Sequence, residues 1–157
     1  MNRELAHGAE FEFHARLSAH LGATAGYTYL SSQILEQPFA FDPLLAAGKP
    51  LLRRPKHSGS LLLTYSANRW GADLAGSFVG RRPDSDFLGL TVNGVGFDHA
   101  PGYARVDLGG WYAIARRVTA YANVENATNR RYQEVLGYPA LKANFRAGLR
   151  FVIGGSE

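Results

Sequence analysis

The sequence predicts an all-β protein, an antiparallel up-and-down meander of about seven long strands that forms a segment of a transmembrane β-barrel. Three observations lead to this prediction. Apolar and polar residues alternate with a period of two over long stretches, which is typical of strands and not of helices. The chain contains 18 Gly, 8 Tyr and 9 Phe, a bias that favours β structure. Short and long connections alternate between these stretches, as in a meander with two unlike ends.

Composition limits the function classes. The 157 residues make one domain or part of a larger one. The absence of Cys excludes disulfides, thiolate metal sites and a Cys nucleophile. The net charge of +4 is spread along the chain and forms no basic cluster, so no nucleic-acid partner is predicted. No apolar run reaches the roughly 18–20 residues of a membrane helix, and the opening residues contain no apolar signal segment.

Seven segments carry the period-two pattern. In chain order they cover residues 9–19, 21–32, 57–67, 70–82, 103–114, 118–126 and 143–153. A tilted strand needs roughly 9–11 residues to cross a bilayer, and each segment is about that long. Hydropathy windows do not detect such strands, because only every second residue is apolar.

Each segment has one apolar and one polar face. The apolar faces carry, in chain order, Phe11, Phe13, Ala15 and Leu17; Leu21, Ala23, Ala25, Tyr27 and Tyr29; Leu61, Leu63 and Tyr65; Leu74 and Phe78; Val106, Leu108 and Tyr112; Val118, Ala120, Ala122 and Val124; and Phe145, Ala147, Leu149 and Phe151. Charged, amide and hydroxyl side chains dominate the opposite faces. A soluble β-barrel or sandwich that encloses the same apolar residues is the alternative that alternation alone leaves open.

The connections favour a membrane barrel over that alternative. Short turns follow the first, third and fifth segments, whereas long loops follow the second, fourth and sixth. Outer-membrane barrels have this asymmetry, with tight turns on one side and long loops on the other. Aromatic residues such as Tyr27, Trp70, Tyr103 and Trp111 fall near segment ends, where membrane barrels carry their aromatic girdles.

The closing stretch, "YANVENATNRRYQEVLGYPALKANFRAGLRF" at residues 121–151, resembles the end of TonB-dependent outer-membrane receptors. That family ends on a strand, an Asn-containing turn with a basic pair and a Tyr, a Gly-Tyr-Pro loop and an Arg-alternating final strand. The counterparts here are Val124, Asn126, Asn129, Arg130, Arg131, Tyr132, Gly137, Tyr138, Pro139, Arg146, Gly148, Arg150 and Phe151. Upstream, "YTYLSS", "LLRRPKHSGSLLLTY", "FVGRRPDSDF" and "YARVDLGGWY" follow in the order expected of the siderophore and vitamin B12 branches. Unlike the family's usual final aromatic, Phe151 is followed by "VIGGSE".

The resemblance implies that residues 1–157 are the C-terminal portion of a receptor barrel, with the plug domain and the upstream strands absent. It implies TonB-energised uptake of a siderophore or a corrinoid across the outer membrane of a Gram-negative bacterium, without cofactor or covalent chemistry. The implied partners are outer-membrane lipid and lipopolysaccharide, the TonB complex through the plug, and the barrel-assembly machinery. Hydrogen bonding in a membrane also favours a partial barrel. An open seven-stranded sheet leaves two edges of unpaired backbone groups, which a bilayer does not tolerate.

Candidate ligand-binding residues lie in two long loops: Arg53, Arg54, Arg81, Arg82, Asp84 and Asp86. Arginine pairs grip carboxylates or phosphates bidentately, which suits an anionic chelate or a lipopolysaccharide phosphate. The plainer interpretation is that these charges anchor the loops through local ion pairs. A Ca²⁺ site is disfavoured, since two carboxylates fall short of the roughly 6–8 oxygens that Ca²⁺ takes.

Two further residue sets follow from the faces. The residues predicted to line the lumen are Glu10, Glu12, His14, Arg16, Arg105 and Asp107. The residues predicted to form the seam of the final strand are Phe145, Arg146, Leu149, Arg150 and Phe151. No hydrolase elbow, zinc-protease or P-loop motif is present, and the five His have no metal-ligand spacing, so neither an enzyme nor a metal site is predicted. The alternative functions are a complete small β-barrel ligand-binding protein of lipocalin type and a passive outer-membrane pore or adhesin.

Overall fold

The computed structural model describes residues 3–38, 43–85 and 99–154. Seven strands form one sheet in the order β1-β2-β3-β4-β7-β8-β11. They are β1 (Arg3–Arg16), β2 (Leu21–Glu36), β3 (His57–Ser66), β4 (Trp70–Val79), β7 (Tyr103–Ala115), β8 (Val118–Glu125) and β11 (Asn144–Phe151). Every neighbouring pair is antiparallel, so the predicted meander is confirmed.

Short elements occupy the long connections. Two small antiparallel ribbons are formed by β5 (Arg82–Pro83) with β6 (His99–Ala100), and by β9 (Gln133–Val135) with β10 (Tyr138–Pro139). A 3₁₀ turn covers Pro43–Leu45. No helix in the described ranges is both long and apolar enough to cross a membrane.

Each strand differs from its predicted segment at one end or both, by one to six residues. β1 begins at Arg3 and β2 ends at Glu36, because their backbone pairing continues beyond the residues that alternate between apolar and polar. An Arg3–Glu36 ion pair of 2.8 Å lies at the end of this pairing. β4 ends at Val79, three residues earlier than predicted. There the chain leaves the sheet, with the N–H of Gly80 donating to the carbonyl of His57 at 2.8 Å.

The register puts the predicted apolar residues on one face. One row crosses the whole sheet through Ala15, Ala23, Leu63, Leu74, Leu108, Val124 and Phe145. The adjacent row lies on the other face and runs through Arg16, Gly22, Thr64, Asp73, Gly109, Asn123 and Arg146. Since a slip of one residue would exchange the faces, the pattern and the pairing agree on a single register.

The sheet is one layer thick and has no core of its own. Among the described residues, only Ile34 and Ala100 are buried apolar side chains. Large apolar side chains are bare instead, with Phe145 69% and Phe11 64% exposed. β1 and β11 lie at opposite edges and do not pair with each other. The described chain is therefore not the small closed barrel of the soluble alternative.

Side chains on the polar face lie close to glycines of neighbouring strands. A Cβ at Gly148 would come within 2.7 Å of the Tyr121 hydroxyl oxygen, and one at Gly109 would collide with the Asp73 carboxylate. The glycines thus provide room for cross-strand packing on this face. With Arg146 and Arg150, these side chains line a polar concavity of about 500 Å³ toward the short-turn end of the sheet.

Candidate functional site

Three long loops meet at one end of the sheet. Loop A covers residues 37–56, loop B residues 80–102 and loop C residues 126–143. Each leaves the sheet at the same end, because the meander places its short turns at the other. The loop contacts bring together charged residues that are far apart in the sequence.

Asp84 of loop B joins all three loops. Its side chain is fully buried and accepts a hydrogen bond of 2.9 Å from Nε of Arg53 in loop A. Its second carboxylate oxygen accepts the N–H of Leu136 in loop C at 2.9 Å. The N–H of Ser85 donates to the first oxygen, also at 2.9 Å. A buried carboxylate needs such donors, since an unpaired buried charge is very costly.

The ionised form of Asp84 is favoured by these donors. Burial by itself raises the pKa of the carboxyl, because it penalises the charged form. The hydrogen bonds from Leu136, Arg53 and Ser85 outweigh burial and hold the pKa below its ordinary value of 3.8. Asp84 is therefore a charged structural hub throughout the neutral range.

Arg82 makes a second connection between loops B and C. It is 4% exposed, and its Nη2 donates to the backbone carbonyls of Gln133, at 2.8 Å, and Glu134. Its guanidinium lies over the ring of Tyr103, 5.7 Å from the ring centre, and Tyr103 stacks on Tyr132 at 4.1 Å. The stacked rings thus form an apolar base beneath the buried guanidinium.

The Asn-rich turn builds the start of loop C. Asn126 is 2% exposed, and its side chain donates to the carbonyls of Arg130 and Leu141 and accepts the N–H of Arg130. Asn126 and Asn129 both have a φ of 51°, a left-handed conformation that Asn tolerates better than most residues. The Asn129 side chain accepts the N–H of Ala143 at 3.2 Å. These two residues shape the turn before the final strand.

The structure divides the candidate ligand residues into two groups. Arg82 and Asp84 are buried where the loops are joined, and Arg53 is bound to Asp84. Arg54 and Arg81 are exposed and line an open groove. Asp86 lies outside the described residues. The first group makes the contacts expected of residues that anchor the loops. A ligand role for the whole set stays a prediction.

The predicted lumen residues share the polar face of the sheet. Glu10, Glu12, His14 and Arg16 lie on this face of edge strand β1, where His14 contacts the Thr24 hydroxyl at 3.2 Å. Arg105 and Asp107 form an ion pair of 2.9 Å in β7. They are also tied to loop C, since Asp107 accepts the N–H of Asn126 at 2.7 Å. That they line a lumen stays a prediction.

The final strand divides its residues between two environments. Phe145, Leu149 and Phe151 lie on the apolar face and are 69%, 54% and 60% exposed. Arg146 and Arg150 lie on the polar face, where Arg146 pairs with Glu125. Glu125 also accepts the Asn144 amide at 2.9 Å. β11 pairs only with β8, which leaves one edge unpaired within the described chain.

Sequence reasoning missed the contacts that join loops B and C at Arg82. The Tyr103–Tyr132 stack and the backbone acceptors of Arg82 carry no local signature. One signal was available: two Asn three residues apart before a strand are typical of a left-handed turn. No group of three His, Asp or Glu close enough to hold a metal occurs in the part of the chain that the structure describes.

Comparison with known proteins identifies the family. Residues 4–127 match the sequence model of the family described as "TonB dependent receptor-like, beta-barrel". The chain belongs to the TonB-dependent receptor family. It is 34% identical over 133 residues to the metal-pseudopaline receptor CntO of Pseudomonas aeruginosa, a match covering 81% of this chain and 17% of that receptor. It is 28% identical over 95 residues to the vitamin B12 transporter BtuB of Vibrio cholerae, covering 59% and 15%.

The fold comparison agrees. The ferripyoverdine receptor of the outer membrane of Pseudomonas aeruginosa superposes with a TM-score of 0.72 at 19% identity, covering 96% of this chain and 20% of that one. The open sheet is therefore part of a transmembrane barrel, and the chain is an outer-membrane protein of a Gram-negative bacterium. It spans about a sixth of the length of the curated relatives that it matches. Those relatives are receptors and transporters, not enzymes.

Replacement of Asp84 by Asn tests the three-loop hub. Asn cannot accept at both former carboxylate oxygens, so we expect the Leu136 N–H to lose its acceptor and the Arg53 ion pair to disappear. Loss of one charged hydrogen bond of about 2 kcal/mol would speed hydrogen exchange at the Leu136 amide roughly 30-fold. Glu134→Gln is the matched control, because it removes a charge from the same loop but keeps the backbone carbonyl that Arg82 binds. Equal exchange in both variants would contradict the hub.

The pKa of Asp84 predicts the response of the hub to acid. A carboxyl with a lowered pKa contributes stability that is fully present above its ordinary pKa of 3.8 and is lost as the pH falls through the lower folded value. We expect protection of the Leu136 amide, corrected for intrinsic exchange, to stay constant from neutral pH to about pH 5 and to fall below about pH 4. The Asp84→Asn variant should lack this transition. A transition near neutral pH in the unaltered protein would assign it to another group.

Proposed function

We propose that this chain forms the C-terminal portion of the barrel of a receptor that takes up a metal chelate of siderophore type, energised by TonB. The observation that carries the proposal is the single-layer sheet, in which one face is mainly apolar and the other mainly polar across all seven strands. Such a sheet has no core to stabilise it in water, but it suits a wall between lipid and an aqueous interior. Binding and transport need no catalytic group, and we propose none.

The two faces have separate tasks under this proposal. The apolar face contacts outer-membrane lipid, which covers side chains such as Phe11 and Phe145. The polar face lines the interior and contacts the plug domain, with Glu10, Glu12, His14 and Arg16 among its contributors. The plug in turn contacts TonB. Unpaired backbone groups cost several kcal/mol each in hydrocarbon, so further strands of the receptor must pair with β1 and β11.

We prefer a metal chelate to a corrinoid as the cargo, because the match to CntO covers more of this chain, and at higher sequence identity, than the match to BtuB. CntO, whose name specifies a metal chelate, matches 81% of this chain at 34% identity. BtuB, a vitamin B12 transporter, matches 59% at 28% identity, which keeps a corrinoid as the second candidate. Within the loops, Arg53, Arg54, Arg81, Arg82, Asp84 and Asp86 remain the proposed set from which ligand contacts come. Lipopolysaccharide at the outer rim and the barrel-assembly machinery at β11 complete the proposed partners.

Uptake tests the proposal. The gene product that carries this sequence is expressed in a Gram-negative host without its own iron, nickel, zinc and cobalamin receptors, with TonB either present or deleted. We expect uptake of a radiolabelled metal chelate only when both the receptor and TonB are present. Uptake of cyanocobalamin alone would transfer the assignment to the second candidate. Uptake that continues without TonB would indicate a passive pore, and no uptake of any compound would contradict the proposal.

A further inference from the structure

An apolar groove crosses the apolar face of the sheet near its short-turn end. It measures about 430 Å³, and the apolar-face residues that line it are Leu108, Gly110, Tyr112, Ala120, Ala122 and Val124. Its floor is a row of small residues contributed by four neighbouring strands. In chain order this row is Ala72, Gly110, Ala122 and Ala147. Since neighbouring strands lie about 4.8 Å apart, the floor is roughly 14 Å long.

Two ridges of larger side chains enclose the floor. The ridge toward the long loops consists of Leu74, Leu108, Val124 and Phe145. The ridge toward the short turns consists of Trp70, Tyr112, Ala120 and Leu149. Ala120 interrupts this second ridge between Tyr112 and Leu149. The apolar groove therefore opens toward the short-turn end of the sheet.

Gly110 leaves open a space that the packing of the strands does not need. A Cβ at Gly110 would meet the carbonyl oxygen of Gly71 at 3.4 Å, an ordinary contact distance. A Cβ at Gly71, by contrast, would collide with the ring of Trp111. A glycine inside a strand costs stability, and it often marks a point that a ligand approaches closely. The missing side chain at Gly110 thus suits a chain that enters from outside the protein.

Arg69 lies at the open end of the apolar groove, directly before β4. Its guanidinium carbon is 5.7 Å from the centre of the Tyr112 ring. Its Nη2 donates to the carbonyls of Ala113 and Ile114, at 3.4 and 3.3 Å, which fixes the side chain at the rim. Nη2 carries only some of the N–H donors of a guanidinium. A held guanidinium beside an apolar groove complements a phospholipid, which joins a phosphate to hydrocarbon chains.

Aromatic rings mark this rim as the level of the membrane surface. Trp70 lies against Tyr65, with ring centres 4.6 Å apart, and Trp70 is paired with Tyr112 across the strands. Trp and Tyr collect where membrane hydrocarbon meets water. The tight turns of an outer-membrane barrel lie on its periplasmic side. The apolar groove therefore faces the periplasmic leaflet, whose lipids are glycerophospholipids.

We propose that the apolar groove binds one glycerophospholipid of the periplasmic leaflet, with an acyl chain along Gly110 and Ala122 and the phosphate at Arg69. The inference rests on the proposed contact of the apolar face with lipid, and it adds that one lipid has a fixed place there. A chain in the groove contacts the floor and both ridges, so it makes more dispersion contacts than a chain on an even surface. Because the site exists only in the folded sheet, the bound lipid stabilises that sheet.

Filling the floor tests the position of the chain. Binding of phosphatidylglycerol to the purified gene product in detergent is measured by native mass spectrometry, and we expect the protein to retain one molecule. Gly110→Leu should weaken this binding about tenfold, because its side chain replaces the acyl chain on the floor. Gly76→Leu is the matched control on the same face, where a Cβ would lie an ordinary 3.8 Å from the Cβ of Leu61. It should stay within about twofold of the unaltered protein.

Removing the charge of Arg69 tests the position of the phosphate. We expect Arg69→Gln to weaken binding of phosphatidylglycerol about tenfold, through loss of a charged hydrogen bond. Binding of a diacylglycerol, which has no phosphate, should change by less than about twofold in the same variant. Arg131→Gln is the control, since it removes an exposed arginine from the long-loop end. Should Gly110→Leu fail to assemble as a barrel, Ala122→Leu fills the same floor from the neighbouring strand.

Three results would overturn the inference. They are the retention of no phosphatidylglycerol by the unaltered protein, equal weakening by Gly110→Leu and Gly76→Leu, or displacement of the bound phospholipid by lipopolysaccharide. If TonB-dependent uptake of a metal chelate continues alongside any of these results, the proposed function stands without the lipid site. Conversely, a gene product that retains the phospholipid but takes up no chelate would overturn the proposed function and leave the lipid site standing.

Discussion

An apolar face that no described part of the chain covers is the constraint on which the rest of this structure depends. Side chains from all seven strands contribute to it, and two buried apolar residues are all that the described chain has in place of a core. Water would penalise such a surface by roughly 25 cal/mol for each Å² that stays exposed. Lipid removes that penalty and at the same time forbids unpaired backbone, so the sheet must continue into neighbouring strands.

The same constraint explains how the two ends of the sheet differ. Strands that cross a membrane need only tight turns on one side, whereas the other side is free to carry long segments in water. Here the long segments hold one another, through Asp84 and Arg82, instead of extending separately. Held loops present their remaining charges at fixed positions. In both loop A and loop B, an arginine that holds the loop, Arg53 or Arg82, lies next to an exposed arginine in the sequence.

Much of the fold could be predicted because its signal is local. Alternation within each segment reports the burial of single residues, so the strands and their faces followed from the sequence. The continuation of β1 to Arg3 did not, because Glu4, Leu5, Ala6 and His7 do not alternate cleanly and only pairing with β2 keeps them extended. The hub at Asp84 was also out of reach, since its partners Arg53 and Leu136 are 31 and 52 residues away. Which arginine of each pair turns inward depends on backbone geometry, such as the φ of 59° at Arg53.

Cysteine labelling along β8 tests the two-faced wall most directly, because neighbouring residues should meet lipid and water in turn. Thr119→Cys and Asn123→Cys place a thiol on the polar face, whereas Ala120→Cys and Ala122→Cys place one on the apolar face. In outer membranes that contain the gene product, a small charged thiol reagent should modify the first pair, and only a lipid-soluble reagent should modify the second. Modification of all four positions by the charged reagent would contradict the account.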